Sequence, residues 1–256
     1  MDYARASLAV SKSFVVPKPD ASNQESIRDF SEAIQRIILE HDVNLVVPAA
    51  EEALYVAKLV PEWKIAGSLN RPTHVLTSPF FLLSALHDKY EFQQLCQRAG
   101  LASPATVRVE SEQQVRAAMA SSKAAKFVLK PIYTRGGLSM QVVSKDDSPM
   151  RIRISVPHVL QDFVQGQEFS SYSVVANGQV LAHACYSCSY SIKGFSTLRT
   201  AERKPAILDW VSRFVASFES FSGQLGFDFI ETSEGKIFPL ECASCLSHTL
   251  TFKCSL

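Results

Sequence analysis

The chain has 256 residues, long enough to bury a sizeable core without disulfide or metal staples. Hydrophobic residues make up 46% and charged residues 20%, a globular composition that excludes wholesale disorder. Lys and Arg total 26 against 25 Asp and Glu, and a net charge of +1 removes the electrostatic case for a dedicated nucleic-acid binder.

In chain order, Met1 to Val10 carries Asp2 and Arg5 and no long apolar stretch, so it does not read as a secretory signal. Residues 1–22 read as irregular, with one apolar run at Phe14-Val15-Val16 closed by Pro17 and Pro19. A helix is expected from about Asn23 to His41, because Ile27, Phe30, Ala33, Ile34, Ile37 and Ile38 recur at helical spacing. Asn44 to Pro48 is apolar without alternation and reads as a short strand buried on both faces. A second helix follows from Glu51 to Val60, and the order suggests a small parallel sheet. Ser78-Pro79 has the form of an N-cap followed by proline at the first helical position. A helix from Asp88 stops at Gly100, where a left-handed glycine is expected. Thr106 to Val109 reads as a strand and Ser111 to Ser121 as a helix. From Lys126 to Cys242 strands and tight turns dominate, broken by a helix from about Ala201 to Phe221. This change of style separates two lobes rather than two independent domains.

The longest uncharged stretch, Phe169 to Ile192, has Asn177-Gly178 at its centre, which favours a hairpin over a membrane span. A two-residue loop there pairs Val175 with Val180 and Tyr172 with His183, and sets Glu168 near Ser187. A lone strand-end carboxylate such as Glu168 is by default a solvated one. The six cysteines, with no export signal read, are taken as reduced thiols of a cytoplasmic protein with no membrane partner.

A second hairpin is expected between Leu225–Ile230 and Lys236–Glu241, turning at Ser233-Glu234-Gly235-Lys236. A two-residue loop Glu234-Gly235 places Asp228 directly opposite Glu241 and sends Phe227, Phe229, Phe238 and Leu240 to the core face. Opposed carboxylates repel unless a cation sits between them, and a hard divalent metal with oxygen ligands answers that need. A Lys or Arg from elsewhere would answer it too, and a one-residue slip would remove it. Phe127 to Lys130 reads as a buried strand whose terminal lysine must reach water or an anion. Arg135-Gly136-Gly137 follows, with glycines that can expose backbone N–H groups to phosphate, although a plain turn fits as well. Lys89 lies in the first turn of its helix against the dipole, as a snorkelling surface lysine or one beside an anion.

Five stretches now fall into a familiar order: Leu45-Val46-Val47-Pro48-Ala49-Ala50-Glu51-Glu52; His87-Asp88-Lys89 leading to Ala99-Gly100-Leu101; Val128-Leu129-Lys130-Pro131; Val159 to Phe169; and Gly226-Phe227-Asp228-Phe229 with Pro239-Leu240-Glu241-Cys242. The chain resembles the ATP-grasp superfamily, and within it the carbamoyl-phosphate-synthase-like and mycosporine-glycine-synthase-like carboxylate–amine ligases. The resemblance implies an α+β fold. A truncated Rossmann-like lobe at residues 1–79 would precede an ATP-grasp domain at 80–256, whose subdomains, about 80–157 and 158–256, enclose ATP. It also implies a ligase that joins small-molecule carboxylate and amine substrates, uses ATP with magnesium or manganese, and is compatible with a homo-oligomer.

Position by position, the resemblance makes Lys130 the phosphate-contacting lysine and Lys89 a second one. Lys130 and Arg135 become the catalytic cations, and Gly136 and Gly137 part of the nucleotide site. Gln161 would read the adenine amino group, with Asp162, Phe163 and Val164 forming the adenine-binding segment. Glu168 would bind ribose, and Asp228 and Glu241 would hold magnesium. The chain departs from the family where Glu-x-Asn-Pro-Arg is usual. Here Glu241-Cys242-Ala243-Ser244-Cys245 lacks both the third metal ligand and the arginine. Measured against relatives both ends look short. A catalytically impaired, nucleotide-binding homologue with a regulatory or partner role is therefore a second expectation. Cys185-x-x-Cys188 and Cys242-x-x-Cys245 have zinc-like spacing and supply a third, a zinc-stabilised binding domain.

Overall fold

In a computed structural model of the chain, the described residues are 8–49, 52–63, 72–134, 139–146, 152, 154–192, 195–218 and 221–243. The chain divides into two compact units, Met1–Leu76 and Thr77–Leu256.

In the first unit, helix α1 (Gln24–Glu40) starts where the Asn23 side chain accepts the Glu25 and Ser26 N–H groups. Its buried stripe is Ile27, Phe30, Ala33 and Ile38. This stripe packs with Val56 and Leu59 of α2 (Glu52–Leu59) and with Trp63, which follows a 3₁₀ turn at Val60–Glu62. The Trp63 indole N–H donates to Ser31 Oγ at 2.9 Å, so its one polar atom is satisfied within the core. Strands β1 (Leu45–Val46) and β2 (His74–Val75) pair in parallel, as the strand–helix order suggested. The expectation of a strand buried on both faces does not hold: Leu45 is 53% exposed and Val47 43%. A two-stranded ribbon leaves a face uncovered, and an unalternating apolar run cannot reveal how many strands will flank it.

The second unit opens with α3 (Phe80–His87) and α4 (Lys89–Arg98). Pro79 takes the cap position of α3 without a side-chain cap, while the Ser78 hydroxyl, expected there, donates to the Ser222 carbonyl at 2.5 Å. Asp88 caps α4 by accepting the N–H groups of Tyr90 and Glu91, and Gly100 ends the helix at φ +65°. Strands β3 (Thr106–Val109), β4 (Lys126–Pro131), β5 (Gln141–Ser144) and β6 (His158–Asp162) form an antiparallel sheet in the order β3-β6-β4-β5. Helix α5 (Glu112–Ser121) covers one face of it, burying Val115 and Met119 with Phe127, Leu129 and Leu160.

A larger antiparallel sheet, ordered β11-β10-β7-β8-β9, follows from β7 (Gln167–Ala176), β8 (Gln179–Ile192), β9 (Phe195–Glu202), β10 (Gly223–Glu231) and β11 (Ile237–Ala243). Helix α6 (Pro205–Ala216) covers one of its faces, and Trp210 and Phe214 meet Phe227 edge-on at 5.3 and 5.4 Å. This helix was expected from Ala201, but Ala201 and Glu202 pair with Tyr186 and Cys185 in the sheet, and proline opens the helix at 205. Among the described residues no helix is long and apolar enough to cross a membrane.

The two hairpins correct the sequence arithmetic. Asn177 and Gly178 turn at φ +50° and +71°, the two-residue loop expected, and Val175 pairs with Val180. A register shift follows at once, so Tyr172 opposes Ala184 rather than His183. At the second hairpin Thr232 N–H bonds the Lys236 carbonyl and Gly235 sits at φ +75°, so the loop has three residues rather than two. Phe229 then pairs with Pro239. A bulge at Leu240 adds the missing residue and restores Asp228 opposite Glu241. Between loop and bulge the faces are exchanged. Ile237 and Pro239 are buried opposite Glu231 and Phe229, while Phe238 and Leu240, expected in the core, are only half-buried.

Candidate functional site

Lys130 lies next to the end of β4, on the face away from the α5 core. Its pair across the ladder is Val159, and Gln161, opposite Val128, lies on the same face. The Lys130 ammonium is buried and donates to the Leu240 carbonyl at 3.1 Å. Burial draws its pKa down to about 8, opposed by the Glu241 carboxylate, helped by the Lys89 charge and opposed again by Asp228. Lys89 is also buried, correcting the surface-lysine default. It donates to the carbonyls of Ile132 (3.3 Å) and Thr134 (2.9 Å) and stands 3.5 Å from Glu241 Oε2. Its charge is thus folded back from the helix N-terminus onto an anion of the sheet.

On the larger sheet, Asp228 of β10 lies between Glu241 of β11 and Ser170 of β7. The Ser170 hydroxyl donates to Asp228 Oδ1 at 2.5 Å. Burial pushes the Asp228 carboxyl up to about 6, and the Glu241 charge pushes the same way. The Ser170 hydrogen bond and the Arg199 charge act against them, and Glu168 adds a further raise. Glu168 is exposed at the start of β7, opposite Ile230. One corner of the molecule therefore gathers two lysines and two carboxylates. Oxygen donors opposed in this way are of the type a hard divalent cation takes, and in the metal-free chain Lys89 supplies the positive charge beside Glu241.

Gln161 is fully enclosed, and its Nε2 donates to Thr106 Oγ1 at 3.0 Å. Asp162 turns its carboxylate to the other face, where Oδ1 accepts from Ser122 Oγ, and its N–H bonds the Ala105 carbonyl. The Phe163 N–H bonds the Lys126 carbonyl. Val164 is half-buried just beyond β6. Arg135, Gly136 and Gly137 lie outside the described residues, as does Cys245. Ala243 opposes Gly226 at the end of β11.

Three polar residues of this corner were not singled out from sequence. Gln93 lies one helical turn after Lys89, a spacing that puts both on one face and was legible. Ser170 follows Glu168 by two and so shares its face, but pairing with Asp228 needed the β7–β10 register. Arg199, opposite Cys188, carries no local signal. Its charge reaches Asp228, and its Nε is buried without a hydrogen bond among the described residues. Cys185 and Cys242 are buried free thiols, and among the described residues no three His, Cys, Asp or Glu side chains gather into a metal cluster.

A family model described as an ATP-grasp domain matches residues 86–242, more than half of the chain and the span that holds Lys89, Lys130, Glu168, Asp228 and Glu241. No curated protein matches the sequence. Among solved structures, the chain is similar to an L-amino acid ligase from Bacillus licheniformis, with TM-score 0.62 and 17% identity, covering 87% of this chain and 54% of that one. It is also similar to carboxyaminoimidazole ribonucleotide synthase from Aspergillus clavatus complexed with ATP, with TM-score 0.69 and 12% identity over 93% of this chain and 60% of that one. A third is the biotin carboxylase domain of a Hydrogenobacter thermophilus 2-oxoglutarate carboxylase with MgADP and bicarbonate, with TM-score 0.66 and 12% identity over 87% and 53%. At these identities the likeness is one of fold, and the chain spans little more than half the length of those structures.

Proposed function

Because the chain belongs to the ATP-grasp family, we propose that it is an ATP- and magnesium-dependent carboxylate–amine ligase acting through an acyl phosphate. The observation that carries the reading is the opposition of Asp228 and Glu241 on one face of the sheet, with Lys130 and Lys89 turned onto the same strand end. In this reading a substrate carboxylate oxygen attacks the γ-phosphorus of ATP and ADP leaves. An amine nitrogen then attacks the acyl carbon and phosphate leaves. Lys130 and Lys89 hold the phosphates, giving up their carbonyl partners for phosphate oxygens, and Arg135 is a further cation for the transferred group. Arg199 stands beside Asp228 with its charge available to the same oxygens. Gln161, its amide nitrogen fixed on Thr106, has Oε1 to accept from the adenine amino group. Asp162, Phe163 and Val164 line the ring by their backbone, Gly136 and Gly137 belong to the nucleotide site, and Glu168 accepts from ribose hydroxyls. Asp228 and Glu241 hold magnesium, with manganese as a substitute. When bound, the ion supplies charge neutralisation at the transferring phosphoryl group. Small-molecule carboxylates and amines as substrates, a cytoplasmic setting and compatibility with a homo-oligomer belong to the same reading.

A second reading rests on Ala243, which stands in the ladder opposite Gly226 where an asparagine ligand would be expected. It gives a chain that binds Mg–ATP and turns it over slowly, in a regulatory or partner role. Phosphate release measured with pooled carboxylates and amines separates the two. The shared core of both is tested by calorimetry with ADP. Lys130→Ala should weaken binding more than Lys89→Ala, since Lys130 is enclosed with both carboxylates beside it. Equal and small losses would contradict the placement of the phosphate site.

A further inference from the structure

Glu241 does not reach Asp228 by regular pairing. The register set by the three-residue turn would bring Leu240 opposite Asp228, and only the bulge at Leu240 moves Glu241 there. Strand β11 is an edge of its sheet, so the outward carbonyls beside the bulge have no ladder partner. Two side chains satisfy them. Gln93 Nε2 donates to the Pro239 carbonyl at 3.2 Å and to the Leu240 carbonyl at 3.5 Å, and Lys130 Nζ donates to the Leu240 carbonyl at 3.1 Å. Pro239 fits the same logic, because an edge strand beside a bulge tolerates a residue without an N–H.

Gln93 is fully buried, and its Oε1 has no hydrogen-bond partner among the described residues. A buried amide that leaves one end unsatisfied costs stability relative to an apolar side chain of the same shape. Its neighbours in α4, Phe92 and Cys96, are apolar and equally buried. The half of the amide that is satisfied is spent wholly on the bulge.

We propose that Gln93 is a positioning residue, which holds the β11 bulge and thereby keeps Glu241 facing Asp228. The inference rests on the reading of those two carboxylates as the metal-holding pair. Its weight grows when nucleotide binds. Lys130 then turns to phosphate and releases Leu240, and of the two donors only Gln93 remains on the bulge. A leucine at 93 would keep the volume and remove both donors, leaving the Pro239 and Leu240 carbonyls to seek other partners. The bulge would relax toward the turn's own register, and the Glu241 carboxylate would leave the shared face.

The test is ADP affinity by calorimetry, with and without magnesium, in the full chain. Glu241→Gln and Asp228→Asn should each lose most of the magnesium-dependent gain. Gln93→Leu should lower that gain by about 10-fold while leaving metal-free ADP affinity unchanged, as expected when the support of a metal ligand is removed. Gln93→Leu combined with Glu241→Gln should lose no more than Glu241→Gln alone, because both act through one carboxylate. Gln93→Met, which also keeps the volume, gives the same comparison if the leucine variant does not fold. A full magnesium gain in both Gln93 variants, alongside its loss in Glu241→Gln, would overturn the positioning role and spare the metal pair. A full gain in Glu241→Gln and Asp228→Asn would overturn the metal pair and the inference with it.

Discussion

Asp228 carries the conflict between function and stability most plainly. Its carboxyl is pushed up to about 6 by burial and by the Glu241 charge, against an ordinary value near 3.8. The folded state therefore binds this proton more tightly than the unfolded chain does. The stability it contributes is fully present below about pH 4 and is lost as the pH rises through about 6. At pH 7, without metal, an ionised Asp228 is a liability that the Ser170 hydrogen bond only partly offsets. Asp228→Asn is accordingly expected to stabilise the metal-free protein at pH 7 by on the order of 2 kcal/mol, and to lose that advantage at pH 4. Thermal or urea unfolding at the two pH values checks this. A variant less stable than wild type at pH 7 would show that the carboxylate is better compensated than its neighbours suggest. The same residue shows what the sequence could carry. Its pairing with Glu241 was legible, but through two errors that cancel: a loop one residue too short and a bulge not foreseen. The bulge depends on Gln93 and Lys130, which lie 146 and 110 positions from Pro239 and Leu240, and no local pattern encodes them.

Among the elements, the connection from β6 to β7 passes close to β10 at Gly166. A Cβ on Gly166 would stand 2.2 Å from the Glu231 carbonyl oxygen and 2.6 Å from Ile230 Cγ2. Backbone on one side and a buried branched side chain on the other leave no cheap adjustment. The glycine thus lets the backbone at 166 press against β10 before the chain enters β7 at Gln167, one residue ahead of Glu168. Gly166→Ala is expected to destabilise the protein by about 2 kcal/mol, as for other overpacked positions, and to weaken ADP binding by displacing Glu168. Denaturant titration with parallel ADP calorimetry checks both, and an alanine variant with wild-type stability would mean that β10 can yield. Helices were the more legible elements, because local signals fix their ends. Asn23, Asp88 and Ser111 cap where the pattern placed them. Strands were found, but their registers and burial depend on partners distant in sequence. That is why Tyr172 met Ala184, Leu45 stayed exposed and Ala201 joined a sheet instead of a helix.

At the scale of the molecule, the fold brings a small four-stranded sheet and a larger five-stranded one together within one unit. Helix α4 joins them, giving Lys89 to Glu241, Gln93 to the β11 bulge and Phe92 to the aromatic core at Phe227. Lys130 crosses from the small sheet to the same bulge. The two sheets thus meet at the proposed site of the phosphates and the metal, and a change in either should be felt there. On the proposed reading Ala243 stands where an asparagine ligand is expected, and the carboxylate pair alone is proposed to hold a divalent ion against nucleotide. The most direct measurement is a crystal structure of the full chain grown with ADP and manganese, with anomalous scattering recorded for the metal. An anomalous peak is expected between the Asp228 and Glu241 carboxylates, with the nucleotide phosphates on Lys130. Bound ADP whose manganese peak lies away from both carboxylates, or no peak at all, would contradict it.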